Sequence, residues 1–291
     1  MKRDDFIKKG LLGAAFIASS GSVSKLLANQ NDELKELELI GFNHLPNKKS
    51  EIMANTILHK ADTRGHANHG WLNSHHTFSF ANYYNPDRMH FGVLRVLNDD
   101  TVSAGMGFGT HPHDNMEIIS IPLEGDLEHK DSLGTVSVIK HGDIQVMSAG
   151  TGITHSEYNK NKDSEVKFLQ IWVFPNKKNV TPRYDQMTLN LKDRENKFQQ
   201  IVSPNADDAG VWIHQDAWFN LGKFDKNKTA EYSIKRKTNG VYAFILNGEA
   251  TINGTAVSKR DGFGIWDTDK LTITINSDNT EILLMDVPMT M

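Results

Sequence analysis

Short β-type runs divided by glycine turns fill this chain from about residue 54 onward, and they restrict what it can fold into. Residues 91–97, 117–123, 135–139, 144–147 and 166–174 form one series, and residues 241–246, 271–275 and 281–285 a later one. β-Branched and aromatic side chains dominate these runs, Gly, Asn and Asp separate them, and no long segment with a 3.6-residue period interrupts them. Such spacing predicts an all-β sandwich or barrel. A weak repeat adds to this. Residues 121–125 (Ile-Pro-Leu-Glu-Gly) are echoed by residues 244–248 (Phe-Ile-Leu-Asn-Gly), and each copy is followed by a turn built on Gly142-Asp143 or Asp261-Gly262 and then an apolar run. A chain of 291 residues is long enough for two domains. Two β-domains of related build in tandem, over 57–180 and 181–291, are therefore expected.

The N-terminal segment has a different texture. Lys2, Arg3, Lys8 and Lys9 precede an apolar, small-residue run over 10–18, and Leu26-Leu27-Ala28 offers a small-residue cleavage site. That layout predicts an export leader over 1–30, too short to span a bilayer stably, so an integral membrane protein is not expected. Residues 3–8 resemble a twin-arginine signal with Asp4 where the second arginine belongs. Periplasmic export is the expectation, and an amphipathic helix on a cytoplasmic protein is the alternative. Residues 31–56 are charged and read as a linker.

Composition excludes several chemistries. With no cysteine, the chain has no disulfide, thiolate nucleophile, cysteine-ligated zinc or iron–sulfur cluster. A net charge of −4 gives no electrostatic footprint for nucleic acid. Histidine is the oddity, since eleven of the thirteen fall between residues 59 and 155.

Two stretches concentrate these histidines into a pattern. In a strand, residues i and i+2 share a face, so His111 and His113 converge on one side of theirs, and His155 and Glu157 on one side of theirs. If the strands are near neighbours, three imidazoles and one carboxylate meet, a donor set for a borderline divalent ion such as Fe(II), Mn, Ni, Cu or Zn. Four such ligands leave two octahedral positions open for water, dioxygen or a bidentate substrate. Glu117 shares parity with His111 and His113. It competes as a direct ligand, but the reading preferred places it behind the ligands, holding an imidazole N–H. Counting from the repeat glycines, the second copy places Ile234, Arg236, Ile275 and Ser277 where the first has its ligands, so the second domain should lack a metal.

Other residues receive blander readings. His66, His69, His75 and His76, with the aromatics of 78–84, could line a pocket mouth, but packing between domains is preferred. Met106, Phe108 and Met147 are read as barrel core ahead of cavity wall. Trp172, Trp212, Trp218 and Trp266 are read as core or interdomain contacts, and Arg183 with Tyr184 as marking the crossing between domains. The glycines of 105–109 lack the Lys-Ser/Thr sequel of a phosphate loop.

Residues 64–72, 76–80, 110–113, 128–134 (Glu-His-Lys-Asp-Ser-Leu-Gly) and 148–157 (Ser-Ala-Gly-Thr-Gly-Ile-Thr-His-Ser-Glu) together resemble the pirin family, most closely its bacterial quercetinase-like members. The resemblance implies a bicupin, two jelly-roll β-barrels face to face, with one metal in the N-terminal barrel and His111, His113, His155 and Glu157 as ligands. It implies Fe(II) as the expected ion, ahead of Cu, Mn, Ni, Zn or Co. The activity implied is quercetin 2,3-dioxygenase, opening a flavonol's central ring with O₂, with a small phenolic substrate and Glu157 as the catalytic base. A non-enzymatic redox-sensing module, or a cupin enzyme for another small molecule, is the alternative, because fold alone does not fix function. A monomer is expected.

Overall fold

The computed structural model describes residues 54–290. The leader, the linker up to residue 53 and the twin-arginine-like motif lie outside the described residues. In chain order the first strands are β1 (Asn55–His59), β2 (Gly65–Asn68), β3 (Leu72–His76), β4 (Leu94–Val102), β5 (Gly107–His113), β6 (Glu117–Glu124), β7 (Leu127–Asp131), β8 (Val136–Ile139), β9 (Asp143–Ser148), β10 (Ile153–Asn159) and β11 (Val166–Val173). The remainder are β12 (Arg183–Thr188), β13 (Phe198–Ser203), β14 (Val211–Trp212), β15 (Trp218–Phe224), β16 (Thr229–Ser233), β17 (Asn239–Asn247), β18 (Glu249–Ile252), β19 (Thr255–Ser258), β20 (Gly262–Trp266), β21 (Lys270–Ile275) and β22 (Thr280–Pro288). Only two short 3₁₀ turns accompany them among the described residues, and no described helix is long and apolar enough to cross a membrane.

Each half of the chain builds a seven-stranded and a four-stranded sheet. The first half gives β12-β9-β6-β11-β4-β3-β2 over β5-β10-β7-β8, and the second gives β1-β20-β17-β22-β15-β13-β14 over β16-β21-β18-β19. The two orders correspond except at one edge, where β2 pairs antiparallel with β3 but β14 pairs parallel with β13, so the repeat seen in the sequence is a repeat of topology. Gly125 and Gly248, the echoed glycines, lie in the equivalent β6–β7 and β17–β18 connections between the large and small sheets, with φ of 75° and 81°. A side chain at either would strain the backbone, and a Cβ on Gly125 would sit 2.8 Å from the Glu165 carbonyl.

Strand alternation explains why the central strands read as continuous apolar runs. On β11, Leu169, Ile171 and Val173 face the second half and join Phe219, Tyr242, Phe244, Leu283 and Met285 in one core between the two large sheets. Phe168, Gln170 and Trp172 point the other way, into the first barrel. Both faces are buried, so period two is masked. The second barrel closes around its own apolar core, which includes Val241, Ala243, Ile245, Phe263, Leu271 and Ile273.

The domain boundary drawn at 180/181 is crossed by both edge strands. β1 precedes the first barrel yet pairs with β20 of the second, and β12 follows it yet pairs with β9 of the first. Each extended segment covers an edge of the sheet contributed by the other half. This exchange joins the halves through backbone hydrogen bonds as well as through the apolar core.

His59, on β1, lies between the halves with its Nδ1 2.8 Å from the Tyr242 hydroxyl. Burial, with the Arg88 charge adding to it, pushes its pKa down to about 4. The folded value lies below the ordinary one, so this stabilising contribution is complete above pH ~6.5 and is lost as pH falls toward 4. The unfolding free energy is expected to decline across that window by on the order of 1–3 kcal/mol, and His59→Gln should flatten part of the decline in urea titrations at pH 7 and pH 4.5.

Candidate metal centre

β5 and β10 are neighbours, as the ligand argument required. His155 pairs directly with His111, and Ile153 with His113. Beyond His155 the register slips, so that Glu157 stands opposite Phe108. The extra residue on β5 falls at Gly109-Thr110, a β-bulge, and the Gly109 carbonyl lies 2.7 Å from His111 Nδ1. That contact makes Nδ1 the protonated nitrogen and leaves Nε2 free as a donor atom.

Three imidazoles meet here. Ring centroids are 4.9 Å apart for His111–His113, 4.5 Å for His111–His155 and 5.0 Å for His113–His155. Their donor atoms lie within 4.8 Å of one another. Burial and the neighbouring imidazoles push His113 down to about 4 and His155 down to about 2. Both rings are therefore neutral at pH 7, with lone pairs available to an ion. His155 carries the most direct sign: both of its nitrogens are buried with no hydrogen-bond partner. Orphaned polar atoms of this kind are costly and uncommon, and a bound cation would satisfy one of them. The donor set suits a divalent transition ion.

Glu157 belongs to a second grouping. Its carboxylate lies with His155 and His129, again with donor atoms within 4.8 Å. With His129 added, the expected four residues thus fall into two overlapping triads with His155 as the shared corner. Glu157 is 1% exposed and is held from two sides, accepting from Ser120 Oγ at 3.0 Å and from Gln170 Nε2 at 2.8 Å. Burial raises its pKa above the ordinary carboxylate range, against the opposing pull of His129 and these hydrogen bonds.

Glu117 does not hold an imidazole. Its carboxylate accepts from Ser148 Oγ at 2.7 Å and from the His214 backbone amide. The chain leaves β5 after His113 and turns at Asn115, whose φ is 43°, so parity does not carry across to β6. Arg236 lies beyond β16, the counterpart of β5, as does Ile234. The second barrel nevertheless lacks the ligands, because Tyr232, Leu271 and Ile273 fill that region with apolar core.

The sequence reading missed His129. It pairs with Glu157 across β7–β10, lies 3.0 Å from Asp131 through Nε2, and has its ring centroid 4.6 Å from that of Tyr184. The signal lay in residues 128–134, quoted for the resemblance without a role assigned to their histidine. Also missed was a row of polar side chains crossing the large sheet. His76, Asn98, Gln170, Ser120, Gln145 and Gln186 pair in succession across six neighbouring strands. The row faces the barrel interior, and two of its members grip Glu157. The corresponding row of the second barrel is apolar at Phe263, Ala243 and Leu284 and turns polar only at Asn220 and Gln200.

A cavity of about 620 Å³ reaches His111 and His113. Trp71, Phe80, Tyr83, Phe108 and Trp172 supply its aromatic walls, and Trp172 meets His113 edge to face at 4.9 Å. His66, His69 and His76 line it too, so these histidines, like Trp172, serve the cavity and not interdomain packing. Phe108 is likewise cavity wall, Met147 is core and Met106 is 44% exposed. Arg183 bridges the halves as expected, with its guanidinium 3.9 Å from the Trp212 ring.

Two β-barrels in tandem, one holding a histidine cluster at the end of an aromatic cavity, define a bicupin with a single metal-suited site among the described residues. The comparisons agree. The Pirin family model matches residues 58–173, and the quercetinase C-terminal cupin domain model matches residues 200–287. The chain belongs to the pirin family. It is 46% identical over 231 residues to quercetin 2,3-dioxygenase of Escherichia coli K12, covering 79% of this chain and 98% of that one. A putative quercetin 2,3-dioxygenase of Pseudomonas aeruginosa is 41% identical over 229 residues, covering 78% and 97%. Among solved structures, the E. coli bacterial pirin YhhW in complex with nickel(II) superposes with a TM-score of 0.76 at 44% identity, over 80% of this chain and 99% of that one.

Proposed function

We propose that this protein is a metal-dependent flavonol 2,3-dioxygenase of the quercetinase kind. The observation that carries the proposal is the three-imidazole cluster, with His155 unpartnered, opening onto a cavity walled by aromatic rings. A flat phenolic molecule fits such walls through stacking. The relatives named as quercetin 2,3-dioxygenases support the substrate class.

His111, His113 and His155 would hold the ion, with Glu157 beside it as the fourth candidate ligand. We propose Fe(II) as the resident ion, on its suitability for mixed imidazole–carboxylate donors. When bound, the ion would acidify a ligated flavonol hydroxyl and supply the redox centre for O₂. The protein's own part is positional and protic. Glu157 accepts the proton of the 3-hydroxyl at a carboxylate oxygen, and burial, which disfavours the charged carboxylate, strengthens its hold on that proton. Ser120 and Gln170 fix the carboxylate's orientation, while Trp172 and Phe108 exclude water from the reacting ring.

Ring opening under ¹⁸O₂ tests the assignment. Both labelled atoms should appear in the phenolic ester product, with unlabelled carbon monoxide released. Label in only one position, or none, would overturn it. Export is proposed as well, on the charge and apolar pattern of residues 1–30. An intact N-terminus on protein recovered from the periplasm would contradict a cleaved leader.

A further inference from the structure

One corner of the cavity takes no part in the chemistry above. Ser74 pairs with Asp100 and His76 with Asn98 across β3 and β4, and all four line the cavity while being buried. Ser74 Oγ donates to Asp100 Oδ1, the single side-chain hydrogen bond that this carboxyl receives among the described residues. Asn98 Oδ1 and His76 Nδ1 are buried with no partner at all. Polar atoms in that condition, set in a cavity otherwise walled by Trp71, Phe80, Phe108 and Trp172, are unsatisfied without a guest.

We propose that Asp100, with Asn98 and His76 beside it, is a recognition subsite that binds a phenolic hydroxyl on a ring remote from the metal, so that the cavity selects polyhydroxylated flavonols over those with bare rings. The inference rests on the flavonol reading and goes beyond it, because that reading needs only the hydroxyl directed at the metal. Placement supports it. Asn98 shares its row with Gln170, which holds Glu157, and Asp100 stands two residues further along β4, roughly 7 Å away. Phe168, opposite Asp100 on β11, and Phe108 beyond it flank the corner with apolar surface. A phenol O–H to a buried carboxyl is a strong hydrogen bond. A bare ring would leave Asn98 Oδ1 and His76 Nδ1 unpaired and Asp100 with its Ser74 hydrogen bond alone, which is how such sites discriminate.

Binding without turnover tests this. Metal-loaded protein under argon is titrated with quercetin and with 3-hydroxyflavone, whose rings carry no other hydroxyl, following the quenching of tryptophan fluorescence from Trp71 and Trp172. The wild type should prefer quercetin by at least about tenfold. Asp100→Leu should reduce the preference to below about threefold, chiefly by weakening quercetin. Asp100→Asn, which keeps the shape and can still accept from Ser74, guards against misfolding and should lower the preference measurably with metal content unchanged. Both ligands binding, with the preference intact in both variants, would overturn the subsite and leave the flavonol reading standing. Failure of either flavonol to bind metal-loaded wild type would overturn that reading and the subsite with it.

Discussion

Alanine at His155 is expected to abolish metal uptake and turnover together. Loss of an outer partner of a metal ligand costs roughly 10–100-fold in affinity, and loss of a central ligand should exceed that. His111→Ala should behave alike, and His111 is only partly buried, so the fold should be unaffected. Thermal unfolding separates the effect from general damage. His155→Ala removes packing but also two unpartnered buried nitrogens, so metal-free variant and metal-free wild type should differ by no more than about 2 kcal/mol. Added metal should stabilise the wild type alone, by about 2.7 kcal/mol at a hundredfold excess over Kd. A variant that keeps stoichiometric metal and turns over would contradict the ligand assignment.

Glu157→Gln probes a different link. The glutamine can keep both hydrogen bonds, with its amide oxygen accepting from Gln170 and its amide nitrogen donating to Ser120 Oγ, so the site should stay folded. It cannot take up a proton at neutral pH. Turnover is therefore expected to fall by about 10²–10⁴-fold, while KM for the flavonol changes little. Elemental analysis of the same sample shows whether the carboxylate also contributes to holding the ion. Near-normal turnover in this variant would remove Glu157 from its role as base.

Much of this architecture was legible before any coordinates, for identifiable reasons. Each apolar run singled out in the sequence lies largely within a strand, because glycine and asparagine turns bound them and β-branched residues fill them. His-x-His and His-x-Glu gave the face of each strand, because period two is strict over three residues. What failed was whatever depended on pairing between distant segments. Nothing local in residues 55–59 says that β1 joins the far sheet, and the exchange with β12 stayed hidden. Glu117 was assigned by parity across a turn that breaks parity. Gln170, Ser120 and Gln145 each stand alone in an apolar run, which is weak evidence for one strand taken singly. Paired across neighbouring strands, the same three become a continuous polar row beneath the candidate metal centre.

The central claim is that ring-opening activity belongs to one ion held by His111, His113 and His155. Metal-free protein should be titrated anaerobically with Fe(II), then assayed for quercetin loss and carbon monoxide release at each addition. Activity should rise in proportion to bound metal and level off at one equivalent per chain. Turnover in the metal-free protein, or a stoichiometrically loaded protein that releases no carbon monoxide, would contradict the account.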